Sequence, residues 1–298
     1  MAHVSVLLQE IIDALDIQPD DVFLDGTING GGHSKAVYDK LGETGTLIGI
    51  DLDQAGLEKS KERLVGGKAR VFLEQSSFRN LDMILEKLET PKVDKILFDL
   101  GLSSNQFDES GRGFSFQKEE PLLMTFKNNL SSEDLTAGDI VNKWDEENIA
   151  QILESYGEER FAKKIAHAIV FERERRDIET TGDLVAIVRT AIPKRFQSNR
   201  LHPATKTFQA LRITVNDEIQ SLMDGLRKGF EYLSPTGKMA VISFHSLEDR
   251  MVKNFFKQKA MEGKGRLLTK KPVIPSEKEI KENPRSRSAK LRVIEKTY

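Results

Sequence analysis

A short apolar strand runs into an acid and then a glycine-rich loop, Val22-Phe23-Leu24-Asp25-Gly26-Thr27-Ile28-Asn29-Gly30-Gly31-Gly32-His33-Ser34. A second strand ending Gly49-Ile50-Asp51-Leu52-Asp53 follows. This order constrains the chain more than any other feature. It calls for a strand, a tight turn, a helix and a parallel neighbour strand, which is the repeating unit of an open α/β sheet. Glycines admit backbone conformations and close approaches that a Cβ forbids, and an acid at the tip of the next strand, about 20 residues on, is placed to accept both hydroxyls of a ribose. A tight strand-to-helix turn in any α/β domain would explain the loop alone. The second acid argues for a nucleoside site.

The ligand class follows partly from what the loop lacks. Neither the G-x-G-x-x-G spacing of a dinucleotide site nor the G-x-x-x-x-G-K-[ST] spacing of a triphosphate site occurs here. Asp25 at the strand end would repel a pyrophosphate but suits a ligand carrying ammonium or sulfonium charge. S-adenosylmethionine carries both, so it is the expected cofactor, and a nicotinamide cofactor is disfavoured.

At 298 residues with 38% apolar content, the chain can bury a sizeable core, and its length suits about two domains. No window approaches the roughly 18 apolar residues of a membrane span. Met1-Ala2-His3-Val4-Ser5 lacks the basic and then apolar layout of a signal peptide. A cytoplasmic location without membrane contact is the expectation. The absence of cysteine excludes thiolate metal sites, and His3, His33, His167, His202 and His245 show no metal-type spacing, so no metal is expected.

The net charge of −2 says less than its distribution. Arg189, Lys194, Arg195, Arg200, Lys206 and Arg212 form one run with no acid among them. Lys253, Lys257, Lys259, Lys264, Arg266, Lys270 and Lys271 form a second run, with Glu262 against it. Two such stretches in a near-neutral chain point to a nucleic acid backbone as partner.

The hydrophobic pattern predicts strands at 22–25, 46–51, 69–73, 93–100 and 238–244, with 290–295 as an edge strand. From 105 to about 202 the strand rhythm gives way to helical periods at 135–140, 146–156, 160–174 and 181–192. Thr181 is the expected N-cap of the last, and Pro193 its stop. The expected organisation is a discontinuous core, 1–104 and 203–298, interrupted by a helical substrate-recognition domain, 105–202. A further helix opens at His202-Pro203, with Phe208, Leu211, Val215, Ile219, Leu222 and Leu226 as its buried stripe. Arg212 lies on its polar face, open to solvent or to a phosphate. The tail from 270 to 287 is expected to be mostly loop.

Open α/β sheets place chemistry beyond the carboxyl ends of their strands. After the fourth strand comes Phe98-Asp99-Leu100-Gly101-Leu102-Ser103-Ser104-Asn105-Gln106. Here Asp99 could accept hydrogen bonds from an amine, with Ser103 and Ser104 beside it. After the fifth comes Ser243-Phe244-His245-Ser246-Leu247-Glu248-Asp249, where Ser246 and Asp249 fit a capping box and His245 is left over for substrate contact or proton acceptance.

Taken together, these segments resemble one family. They include DGTINGGGHS (25–34), GIDLD (49–53), FDLGLSS (98–104), RGFSF (112–116), YGEERFAKKIAHAIV (156–170), HPATKTFQALRITVNDE (202–218), ISFHSLEDRMVKNFF (242–256) and NPRSRSAKLRV (283–293). The sequence is similar along its length to the MraW family of bacterial ribosomal RNA small-subunit methyltransferases. The resemblance implies a class I S-adenosylmethionine-dependent methyltransferase core, a Rossmann-like doubly wound sheet, with an inserted helical domain. It implies methyl transfer to N4 of a cytidine in the decoding region of 16S ribosomal RNA, within the small ribosomal subunit. Cofactor contacts carried over by position fall on Gly31, Gly32, His33, Asp51, Phe78, Asp99 and Gln106.

The sequence departs from the family pattern at a few places. Pro121-Leu122-Leu123-Met124-Thr125-Phe126-Lys127 stands where the family usually reads P-L-D-M-R-M-D, Asn29 stands where glycine is common, and Asn105 replaces a usual proline. The alternative expectation is therefore a cofactor- and ribosome-binding protein whose catalysis is altered or lost through the divergent 123–127 loop. On the catalytic reading, Asp99, Ser103 and Ser104 align the amine, and His245 is a further candidate for contact with the base.

Overall fold

The structure is a computed structural model that describes residues 5–101, 110–127, 130–197 and 202–298. The chain divides into two compact units, Met1–Gly101 with Ile219–Tyr298, and Leu102–Glu218.

The first unit is built on a seven-stranded sheet of order β3-β2-β1-β4-β5-β7-β6. The strands are β1 (Val22–Asp25), β2 (Thr46–Asp51), β3 (Arg70–Gln75), β4 (Val93–Asp99), β5 (Leu233–Ser243), β6 (Gly265–Leu267) and β7 (Lys290–Lys296). The first five pair in parallel, and β7 and β6 run antiparallel. Helices α1 (Leu8–Leu15), α2 (Gly32–Tyr38), α3 (Gln54–Arg63) and α4 (Leu81–Lys87) accompany the first four strands. Side chains alternate across each strand, so Phe23 and Leu24 enter opposite cores. Phe23, Leu47 and Leu97 pack with Ile11, Val37 and Leu57 on one face. Leu24, Ile48, Ile50 and Phe98 pack with Leu81, Leu85, Leu222 and Phe256 on the other. The result is a three-layer α/β/α arrangement. The strand order reverses between β1 and β4, which opens a crevice at their carboxyl ends.

Two expectations change here. The final strand is not an edge: β7 lies between β5 and β6, and the three-residue β6 was too short to show as a pattern. In the 270–287 tail, a short helix over Glu277–Glu282 and a 3₁₀ turn over Pro284–Ser288 replace part of the expected loop.

The second unit is helical, with α5 (Ala137–Lys143), α6 (Glu146–Ser155), α7 (Ala162–Arg173), α8 (Thr181–Ala191) and α9 (Thr205–Val215) among its described residues. Its core joins Ile140, Ile149, Leu153, Ile165, Ile169, Leu184 and Val188 to Phe208 and Leu211. That last contribution carries the compact unit past 202 to Glu218. The cap of α8 is Thr180, one residue before the expected Thr181. Its hydroxyl accepts from the Asp183 N–H, and the Asp183 carboxylate accepts from the Thr180 N–H. The single long stripe from Phe208 to Leu226 is broken in two. Asp217 takes a left-handed backbone (φ +48°), and a new helix, α10 (Glu218–Tyr232), follows. The Asn216 side chain holds the break, accepting from Phe126 N–H (2.8 Å) and donating to the Met124 carbonyl (2.7 Å).

The same contacts give the divergent 123–127 segment its place. Met124 is fully buried at φ +51°, its N–H donates to the Arg112 carbonyl, and Phe126 stacks on Phe114. Met124 and Phe126 supply the packing, while Leu123, a buried Thr125 and Lys127, which pairs with Asp134, stand where the family pattern carries charges. No described helix is long and apolar enough to cross a membrane.

Candidate active site

The glycine-rich loop leaves β1 at Asp25 and enters α2 at Gly32, and its shape is set from behind by protein contacts. Gly31 caps α2 with φ +72°, and a Cβ there would lie 3.1 Å from the Ser60 backbone. A Cβ on Gly32 would meet the Ser5 hydroxyl at 2.1 Å, whereas one on Gly30 would meet nothing within 4 Å. Two of the three glycines thus answer to packing, and open space remains at Gly30. Asn29, where the family commonly has glycine, adopts φ +49° and ties its amide to the Thr27 carbonyl (2.9 Å). Asparagine is among the few residues that tolerate this backbone, so the departure keeps the turn.

Three carboxylates end three neighbouring strands. Asp25 closes β1 almost wholly buried, accepting the Ser34 hydroxyl (2.6 Å) and the Thr27 N–H (3.1 Å). Burial raises its pKa against those bonds. Its hydrogen bonds go to the loop and the start of α2, so it organises the turn. Asp51 closes β2. Its Oδ2 accepts the Asn29 N–H (2.6 Å) and its Oδ1 the Asp53 N–H (2.8 Å). Each oxygen keeps lone-pair capacity, and the plane of the group is fixed, which suits a vicinal diol. Burial pushes Asp51 up to about 6. Asp53 has the separate task of capping α3 through the Ala55 N–H (3.1 Å).

Asp99 closes β4. Its N–H donates to the Thr27 hydroxyl (2.6 Å), and its Oδ2 lies 3.5 Å from His33 Nδ1. The other imidazole nitrogen of His33 bonds the Val6 carbonyl at 2.8 Å. Phe78 follows β3 in a 3₁₀ turn, its ring 5.1 Å from that of Phe98 and close against Gly225, where a Cβ would lie 2.5 Å from it. Gly31, Gly32, His33, Asp51, Phe78 and Asp99 thus all lie at the carboxyl edge of one sheet, in the loops and turns next to β1–β4. Ser103, Ser104 and Gln106 lie outside the described residues. A buried diol acceptor, open space at Gly30, and the negative field of Asp25 and Asp99 fit an adenosyl sulfonium compound.

His245 differs from its expected setting. It is itself the N-cap of α11 (Ser246–Met261), in a box with Glu248. The Glu248 N–H donates to Nδ1 (3.4 Å), and Nε2 lies 3.1 Å from the Glu248 carboxylate. The expected Ser246–Asp249 box does not form, because Asp249 binds Arg292 (2.7 Å) and Lys290 (3.1 Å) on β7. Sequence reasoning also passed over Ser5, Val6, Thr27 and Ser60, which hold the loop. None belongs to a spacing motif.

The parallel half-sheet, the glycine turn and the diol acceptor define an α/β protein with a nucleoside cofactor. Residues 1–297 match the family model described as the MraW methylase family, and the chain belongs to that family. It is an S-adenosylmethionine-dependent methyltransferase by family. Among its relatives are proteins named ribosomal RNA small subunit methyltransferase H from Clostridium botulinum (strain Kyoto / Type A2), Clostridioides difficile (strain 630) and Brevibacillus brevis. They are 46%, 43% and 42% identical, and each alignment covers 99% of this chain and 98% of the relative.

Proposed function

We propose that this chain methylates ribosomal RNA of the small subunit, at the exocyclic N4 of a cytidine in the decoding region. The observation that carries the reading is the ring of strand-end acids, with Asp51 held for a ribose and Asp99 at the crevice, in a chain 46% identical to a relative named for small-subunit ribosomal RNA. A cytoplasmic site of action goes with that substrate.

S-adenosylmethionine supplies the electrophilic methyl group when bound. Asp51 accepts the ribose hydroxyls, Gly31, Gly32, His33 and Phe78 line the rest of the cofactor site, and Gln106 is a cofactor contact by family resemblance. The cytosine amine shares its lone pair with the ring, so it must be turned toward the methyl and relieved of a proton as the new C–N bond forms. Asp99 takes the amine hydrogen, aided by Ser103 and Ser104. Such alignment can supply roughly 7–11 kcal/mol of the barrier. His245, engaged in its helix cap, positions the segment after β5. The base must leave its stack to reach the crevice, which favours an unpaired target.

The burial of Met124 and the clamp of Asn216 on the 124–126 backbone keep the divergent segment folded, which is compatible with catalysis and leaves methyl transfer itself to separate the two readings. The test is transfer of labelled methyl groups to small subunits from cells lacking the modification, with the product nucleoside identified by mass. Incorporation at N4 of one cytidine is expected. Cofactor binding without incorporation would favour the binding-only alternative.

A further inference from the structure

The second unit carries an exposed aromatic ring with two guanidinium groups close to it. Phe196, 40% exposed, lies 5.3 Å from Phe161, and the guanidinium carbons of Arg160 and Arg195 each sit 4.9 Å from its centroid. Arg160 also lies over Phe161 at 5.7 Å. The two arginines are exposed, and among the described residues neither has a carboxylate partner. Glu159, the buried acid beside Arg160, accepts the Phe161 N–H instead (2.8 Å). Lys163, Lys164 and Lys194, exposed in the adjoining chain, add charge of the same sign.

Five cations of the two basic runs have partners within the protein. Arg212 makes a two-pronged pair with Glu218 (2.7 and 2.8 Å), and Lys206 binds the Glu158 carbonyl. In the second run, Lys259 and Lys264 meet Glu262, and Arg266 meets Glu295. The Arg160–Arg195 cluster keeps its charge facing outward.

Two like charges held over one ring without an acid repel each other, and an anion from a partner would relieve that repulsion. An acidic peptide would supply charge alone. A single-stranded nucleic acid supplies phosphates for the guanidiniums and a flat base for the exposed ring, which is the combination found in sequence-tolerant strand-binding surfaces. We propose that Arg160, Phe161, Arg195 and Phe196 form the surface on which an unpaired segment of the RNA substrate docks. A base stacks at Phe196, and the flanking phosphates lie against Arg160 and Arg195. The inference rests on the proposed RNA substrate and names where the helical unit holds it.

The test compares the wild type, Phe196→Ala and the double variant Arg160→Gln with Arg195→Gln. Affinity for isolated small subunits and for an unstructured RNA of about ten nucleotides is measured across salt concentrations. The expected loss is about tenfold for Phe196→Ala. For the double variant, the expected change is a shallower logarithmic salt slope, by about 1.4, at 0.7 per lost single-strand phosphate contact. Cofactor affinity and thermal unfolding should be unchanged in both. Unaltered RNA affinity and slope would overturn the proposal. So would weaker subunit binding with an unaltered slope, which would assign the cluster to a protein contact. Methyl transfer by the wild type is read separately, so failure of the RNA substrate itself shows there and not in the variants.

Discussion

His33 Nδ1 faces Asp99 Oδ2 at 3.5 Å, while Nε2 of the same ring is tied to the Val6 carbonyl at 2.8 Å. A carbonyl oxygen can only accept, so Nε2 carries a hydrogen and Nδ1 is the nitrogen left for the carboxylate. One side chain thus spans the glycine loop and the end of β4, and Nδ1 bonds the carboxylate when it too carries a hydrogen. Asp99→Asn preserves size and most hydrogen bonding but removes the proton acceptor. Its turnover in the methyl-transfer assay should fall by about 10²–10⁴, with cofactor binding by calorimetry changed far less. Near-normal turnover would remove Asp99 from the mechanism.

Asp51 links the cofactor to pH. Burial raises its pKa to about 6, above the ordinary value of 3.8. The ionised carboxylate is the form that accepts two ribose hydroxyls, so cofactor affinity should decline as pH drops through 6, approaching tenfold per unit below it. Stability of the ligand-free protein should move the other way. The folded state holds this proton more tightly than the unfolded chain does, so the Asp51 contribution to stability grows as pH falls from about 6 toward 4. Calorimetry across pH 5–8 on the wild type and Asp51→Asn checks both. An identical profile in the variant would refute the assignment.

Gly31 tests whether the loop needs glycine for backbone or for ligand. With φ +72° and the Ser60 backbone 3.1 Å from where a Cβ would stand, Gly31→Ala should lose about 1–2 kcal/mol of stability before any ligand is added. Gly30 has open space, so Gly30→Ala should leave ligand-free stability within about 0.5 kcal/mol and act, if at all, on cofactor affinity. Denaturant unfolding of both variants separates the two causes.

These features differ in how far the sequence reveals them. The bounds of β1 and β2 follow from short apolar runs closed by acids, because parallel strands covered on both faces need such runs. The break at Asn216–Asp217 does not, since the apolar stripe continues in phase through it. What interrupts the helix is a side chain binding backbone some ninety residues earlier. The strand-end acids Asp51 and Asp99 are legible because their place at a strand terminus is a local fact. His33 is legible only as a loop residue, as its partner Val6 belongs to the segment before α1.

The cap of α11 shows the same limit and yields the last prediction. Two overlapping frames, His245 with Glu248 and Ser246 with Asp249, offer the same three-residue spacing, and local chemistry favours serine as the cap. The choice is made by Arg292 and Lys290, which draw Asp249 toward β7. Burial works to raise the Asp249 pKa, but the bonds from Arg292 and Lys290 outweigh it and hold the carboxyl below its ordinary value. A group lowered in this way contributes stability above the unfolded-state value and loses it as pH falls through the folded-state value. Asp249→Ala strands the Arg292 guanidinium, itself 7% exposed, and should cost about 3–5 kcal/mol at neutral pH. Asp249→Ala combined with Arg292→Met should recover much of that loss, because the penalty comes from a buried unpaired charge. Chemical denaturation at pH 7 and pH 3 tests the pair. A double variant as unstable as the single one would mean that packing, and not charge, holds α11 against β7.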